Sequence, residues 1–136
     1  MGPAGYSGTP LPKKLGIKEG TRLALLNAPN NFDETLGNFP ASVSVIRRAS
    51  GESDVIVLFE TRFSKFKVSF GKAAELMTES GGMLWVAWPK RASKVETDLD
   101  ENLIRDFGLA FGLVDTKVCA IDETWSGLRF SRRRAK

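Results

Sequence analysis

Eight side chains carry most of the chemistry this sequence can offer: Asn27, Glu60, Arg62, Trp88, Lys90, Arg91, Asp122 and Glu123. Each stands at or just beyond the carboxyl end of an apolar segment. They combine an amide, acids, bases and one large aromatic. Such a set suits a small anionic or zwitterionic ligand. An arginine fork grips a carboxylate or phosphate through two parallel hydrogen bonds, and an indole stacks on a planar group. The plainer alternative is that the charges pair with one another at a polar rim and that Trp88 belongs to the core. Asp122 and Glu123 are adjacent acids, and a raised pKa in one of them would make a general acid or base. No second catalytic group accompanies them, so no catalytic residue is assigned. The sequence has no histidine and one cysteine, Cys119. Ser-His and Cys-His nucleophile pairs are therefore excluded, and a zinc site lacks ligands. Cys119 lies between Val118 and Ala120, the setting of a buried, inert thiol. Neither a metal nor a cofactor is expected from these residues.

A second group acts through charge alone. Arg129, Arg132, Arg133, Arg134 and Lys136 occur with no acid between Ser126 and the last residue. The net charge is +4, so the remainder of the chain is close to neutral. The pI of 9.4 reports mainly this tail. Such a run holds nucleic-acid phosphates by releasing counterions; the alternative is a solvated terminus. At 136 residues, 42% hydrophobic and 26% charged, the chain is long and apolar enough for one domain with a core. No apolar run approaches the roughly 18 residues of a membrane span. The first residues lack the apolar centre of a signal peptide, and Tyr6 stands where a myristoylation motif needs Ser or Thr. A single cysteine agrees with a reducing cytoplasm, which is the expected location.

The segment that must position the first group is Met83 to Pro89. Met83, Trp85 and Ala87 alternate with Leu84, Val86 and Trp88, and both sets are apolar. A strand apolar on both faces sits inside a sheet that is covered on both sides. Pro89 has no amide donor and ends the pairing. Lys90 and Arg91 are thereby delivered at the carboxyl end of a central strand, where open α/β sheets bind ligands. Arg22–Asn27 and Asp54–Glu60 read as further buried strands, and Val43–Arg47 alternates as an edge strand does. The link Ala49–Ser53 is short for a parallel crossover. Either the second and third strands are antiparallel, or the second is short and the link runs back extended.

Helices are expected between these strands. Residues 1–14 read as an extended arm in which Thr9-Pro10 starts one helical turn through Leu15. A flap formed by Gly5 to Thr9 over the strand ends is the functional alternative. Asp33–Leu36 reads as a short turn stopped by Gly37. Ser64 is placed as a helix cap, with Phe63 stapled to Val68. Phe66, Phe70, Ala73, Ala74 and Met77 then share one face. Asp98, with Glu101 three residues on, predicts a capping box for a second helix. That helix buries Leu103, Ile104, Phe107, Ala110 and Phe111 and ends at Gly112. Lys117–Asp122 reads as a fifth strand, Trp125–Gly127 as a turn and Leu128–Arg132 as an antiparallel sixth.

DVIVLF, a helix, GGMLWVAWP, a helix, GLVDTKVCAI and WSGLRF occur in an order that resembles the closing half of a Rossmann-like methyltransferase domain. LGIKEGTRLALLNAP is similar to the entry strand of that fold. The glycine-rich loop that lets a cofactor approach the backbone is replaced here by Asn27-Ala28-Pro29-Asn30-Asn31. The ribose-binding acid after the second strand is replaced by Arg47 and Arg48. The resemblance therefore implies the fold and argues against S-adenosylmethionine. GYSGTPLPKKLGIK, LLNAP, WVAWPKRAS, TDL and GLVDTKVCAIDETWSGLRF cover more of the chain. They are similar to an uncharacterised bacterial family, domain of unknown function 3052, a resemblance that implies no assigned activity.

Together these readings predict a single Rossmann-like three-layer α/β domain over residues 15–130. Its sheet is mostly parallel, of about six strands, with an antiparallel C-terminal hairpin strand. An arm, 1–14, precedes it and a basic tail, 131–136, comes after it. The expected function is a non-catalytic module that recognises a small anionic ligand or a partner at the carboxyl edge of the strands. The alternatives are a divergent methyltransferase-derived enzyme and a nucleic-acid-associated protein acting through its tail.

Overall fold

The computed structural model describes residues 9–133. Its strands are β1 (Arg22–Leu26), β2 (Ser44–Ile46), β3 (Val55–Phe59), β4 (Met83–Pro89), β5 (Leu113–Ala120) and β6 (Trp125–Arg132). Its helices are α1 (Leu11–Leu15), α2 (Phe32–Leu36), α3 (Phe63–Leu76) and α4 (Glu101–Phe111), with a 3-10 turn at Arg91–Ser93. The six strands form one sheet in the order β2-β1-β3-β4-β6-β5. The first four are mutually parallel, and β6 inserts antiparallel between β4 and β5.

β4 is buried on both faces, as its two apolar sets require. Leu84, Val86 and Trp88 join a core with Phe66 and Phe70 of α3 and Ile104 of α4. Trp85 and Ala87 join a separate core with Leu11, Leu15, Phe32 and Leu36 of α1 and α2. A buried indole needs a partner for its N–H. Trp85 Nε1 donates to the Leu15 carbonyl at 2.9 Å, which fastens α1 to the centre of the sheet. The helix expected after Thr9-Pro10 is thus part of the core from Leu11 onward.

The short link after β2 is resolved by topology. β2 and β3 are not neighbours; each pairs in parallel with β1. β2 stops at Ile46, opposite Ala24, only partway along β1. The return to β3 is therefore short enough for an extended chain, the second of the two expected routes.

Helix ends differ from expectation for identifiable reasons. Ser64 does not cap α3, which begins at Phe63 without a side-chain cap of its own. The Phe63 amide instead donates to the Asp98 carboxylate at 2.7 Å. Val68 is 61% exposed and staples nothing; Phe63 packs on Phe66 and Phe107. With Asp98 engaged there, Asp100 caps α4 and accepts from the Leu103 amide at 2.8 Å. On α4, Ile104 and Gly108 are buried while Ala110 and Phe111 are exposed. β5 starts at Leu113, immediately after Gly112 with φ 113°. Trp125 belongs to β6, and the turn lies before it. The Asp122 carboxylate makes that turn by accepting the Thr124 and Trp125 amides, both at 2.8 Å. β6 continues through Arg132, so the tail proper begins at Arg133. No helix among the described residues is long and apolar enough to cross a membrane.

Gly108 shows how tightly α4 meets the sheet. A Cβ there would lie 2.1 Å from the Phe130 ring. Helix propensity favours alanine over glycine by about 1 kcal/mol, but overpacking a core costs about 1–3 kcal/mol and occasionally more. Gly108→Ala should therefore lower the urea midpoint. A midpoint equal to or above the parent's would contradict this packing.

Candidate functional site

Successive strands leave β1 in opposite directions, so the chain order reverses between β1 and β3. The carboxyl ends of two such strands bound a crevice where α/β sheets take ligands. Asn27 and Glu60 meet there. Asn27 has φ 60°, a left-handed conformation that asparagine tolerates better than most residues. Its amide Nδ2 donates to Glu60 Oε2 at 3.0 Å. Ser69 Oγ, from α3, donates to the same oxygen at 2.7 Å. Glu60 is only 9% exposed. A carboxylate buried this far needs donors, and the chain supplies them from its own side chains. Beside this knot, the loop after β1 runs directly into the five-residue α2. Arg47, where the second strand ends, pairs with Asp33 of α2 at 2.9 Å.

The exit of β4 forms a different environment. The Lys90 amide donates to the Thr124 carbonyl at 2.7 Å and anchors the β5–β6 turn to this exit. A cleft of about 610 Å³ opens between this exit and the start of α4. Its acids are engaged. Asp98 holds the Phe63 amide, Asp100 holds the Leu103 amide, Glu101 pairs with Arg105, and Glu96 pairs with Arg62 at 3.7 Å. Its bases are not: the side chains of Lys90, Arg91 and Lys94 have no ion pair or hydrogen bond among the described residues. Arg91 and Lys94 are exposed and Lys90 is half-buried. Trp88 lines the cleft but is 7% exposed and packs in the α3–α4 core. It is a wall, not a stacking platform.

Asp122 and Glu123 lie at the same edge but face elsewhere. With α1 and α2 they border a separate cavity of about 680 Å³. The eight residues expected at the edge thus all reach it, in three groups: the Asn27–Glu60 knot, the Arg62–Trp88–Lys90–Arg91 side, and the Asp122–Glu123 side. Ser69 and Lys94 escaped the sequence reading. Ser69 directly precedes Phe70 of the apolar stripe, a position that reads as solvent. Lys94 sits in a loop with φ 64° and no periodicity.

Two of the five basic residues near the C-terminus have structural partners. Arg129 stacks over the Trp85 ring, 5.8 Å from its centroid, and Nε donates to Thr116 at 2.8 Å. Arg132 Nη2 donates to the Met77 carbonyl at 2.8 Å, closing the negative end of α3. Arg133 is exposed. Arg134 and Lys136 lie outside the described residues, as does nearly all of the flap expected over Gly5 to Thr9. Cys119 is half-buried, and burial pushes its thiol above the usual range. A raised thiol pKa leaves little thiolate, which agrees with an inert residue. No group of three or more His, Cys, Asp or Glu side chains placed for a metal occurs among the described residues.

No family model matches the chain, and no curated protein matches it in sequence. Solved structures do. The fold is the Rossmann-like methyltransferase fold. Magnesium protoporphyrin IX methyltransferase (ChlM) from Synechocystis PCC 6803, with bound SAM, aligns with a TM-score of 0.56 and 10% identity, over 90% of this chain and 74% of that one. Fibrillarin from Aeropyrum pernix, in complex with natively bound S-adenosyl-L-methionine, aligns at 0.51 and 15% identity, over 93% and 70%. TrmN from Thermus thermophilus aligns at 0.51 and 11% identity, over 90% of this chain and 47% of that one. At these identities the likeness concerns the fold.

The knot makes a stability prediction. Glu60→Ala leaves the Asn27 amide without its acceptor, at a cost of about 1–3 kcal/mol, while the Ser69 hydroxyl can still turn to the Lys65 carbonyl at 3.1 Å. Glu60→Gln keeps one acceptor oxygen and should cost less. Denaturant unfolding of the three proteins checks the order; equal stabilities would contradict the knot.

Proposed function

We propose that this chain is a non-catalytic binding module that holds a small anionic ligand in the cleft at the exit of β4. The observation that carries this reading is the set of three basic side chains at the cleft without partners among the described residues, beside acids that are already held by other groups. All four acids are engaged with amides or arginines, while Lys90, Arg91 and Lys94 have no partner among the described residues. Arg91 offers a planar fork and the two lysines offer mobile point charges, a set that favours a phosphate or carboxylate group. The volume, about 610 Å³, lies within the range of small-molecule sites. The cleft also sits at the carboxyl edge of the parallel strands, where this class of sheet places its ligands.

The divergent-methyltransferase reading is favoured by the fold neighbours, two of which are described with S-adenosylmethionine bound. The residues at this chain's crevice suit that group poorly. The knot of Asn27, Glu60 and Ser69 satisfies itself. Pro29 lacks an amide donor in the loop that would cradle the cofactor, and Arg47 is paired with Asp33. The resemblance to the uncharacterised bacterial family, domain of unknown function 3052, rests on the sequence strings alone, since no family model matches the chain, and it is compatible with a binding role. The nucleic-acid reading retains Arg133, Arg134 and Lys136, since Arg129 and Arg132 have internal partners.

A thermal-shift series on the full chain tests the proposal with inorganic phosphate, sugar phosphates, nucleotides and dicarboxylates. At 100 times its dissociation constant a ligand adds about 2.7 kcal/mol, a rise of several degrees for a domain of this size. The rise should vanish in Lys90→Ala/Arg91→Ala/Lys94→Ala, which removes no side-chain hydrogen bond or ion pair seen among the described residues. No rise with any anion, or the same rise in the variant, would overturn the proposal.

A further inference from the structure

We infer that the chain has a second small-molecule site, on the opposite side of the β5–β6 turn, that takes an organic amine with an apolar body. The site is the cavity of about 680 Å³ between α1, α2 and that turn. Leu11, Pro12, Leu36 and Ile121 line it and are otherwise buried in the core. The α1 wall is held in place by the chain's own bonds. α1 is tied to the sheet by the Trp85 indole at the Leu15 carbonyl and by Lys14 Nζ, which donates to the Ala120 carbonyl at 3.0 Å. A preformed apolar pocket of this volume bordered by a few polar groups is the usual form of a small-molecule site.

The charge of the ligand is set by the rim. Among the described residues, Asp122 and Glu123 are the only charged ones that line the cavity. Asp122 Oδ1 accepts two backbone amides, and Oδ2 has no partner among the described residues. Glu123 is exposed and has no ion pair among them. No lysine or arginine among the described residues lines the cavity, and the nearby Lys14 ammonium is held at Ala120. Among the described residues, the cleft at the β4 exit brings three unpartnered bases beside its acids; this cavity brings the exposed Glu123 and one open oxygen of Asp122 with no base. An ammonium group at the rim with its apolar body on Leu36 and Ile121 satisfies both features. This inference does not depend on the anion site.

The test uses the full chain, labelled for amide NMR, titrated with benzylamine, benzyl alcohol and benzoate. Benzylamine should shift the amides of Thr35 to Asn38 and Ile121 to Thr124 in a saturable way. Benzyl alcohol should bind there at least about threefold more weakly, the scale of an exposed charge pair, and benzoate should leave these amides unmoved. Asp122→Asn/Glu123→Gln keeps the turn, because asparagine makes the same local bonds, and should erase the preference for the amine. No saturable shift with benzylamine would overturn the inference. So would equal affinity for amine and alcohol, shifts centred elsewhere, or an unchanged preference in the variant.

Discussion

A strand that is apolar on both faces cannot tolerate water on either, and β4 imposes that demand on everything around it. Trp85, Leu84, Val86 and Ala87 are fully buried. Parallel β3 and antiparallel β6 satisfy its backbone on the two sides, and helices or turns must roof both faces. The two roofs are unequal. α3 and α4, of 14 and 11 residues, cover one face through a cluster of phenylalanine rings. The other is covered by α1 and α2, of five residues each. This small roof is held over Trp85 by apolar packing, by the bond from the indole to α1 and by Arg129 lying over the ring. Toward the carboxyl edge the short helices leave the cavity between them and the β5–β6 turn.

The carboxyl edge is organised by the same strand. Pro89 ends β4, Lys90 fastens the turn of the neighbouring hairpin, and that turn separates the two concavities. Among the described residues, one concavity is left with bases that have no ion pair and the other with acids that have none. Between β1 and β3, where the methyltransferase neighbours share this fold, Glu60 is held by Asn27 and Ser69. The fold is that of those neighbours, and the crevice between β1 and β3 here carries groups that bind each other.

Much of the fold was legible because burial leaves period-two and helical patterns. The two faces of β4, the edge position of β2 and the apolar stripe of α3 emerge from residue types alone. What was illegible depends on partners distant in sequence. Ser64 is a sound local cap, but Asp98, 35 residues from Phe63, takes that amide, and the capping of α4 moves to Asp100 as a result. Gly108 reads as a weak helix position until Phe130 is seen against it. Arg132 reads as tail until its contact with a carbonyl 55 residues away is seen. At the edge, all eight residues were legible because each stands at or near the end of an apolar strand, and strand ends converge. Their division into three groups was hidden, because the direction a side chain takes beyond a strand end is set by loops without periodicity.

The central proposal is that the crevice between β1 and β3, where Asn27 and Ser69 both bond to Glu60, does not take S-adenosylmethionine. Calorimetric titration of the full chain with S-adenosylmethionine tests it most directly. The account predicts no saturable heat up to millimolar ligand. Saturable one-to-one binding that weakens on Asn27→Ala would contradict it, and would return the chain to the cofactor-using members of its fold.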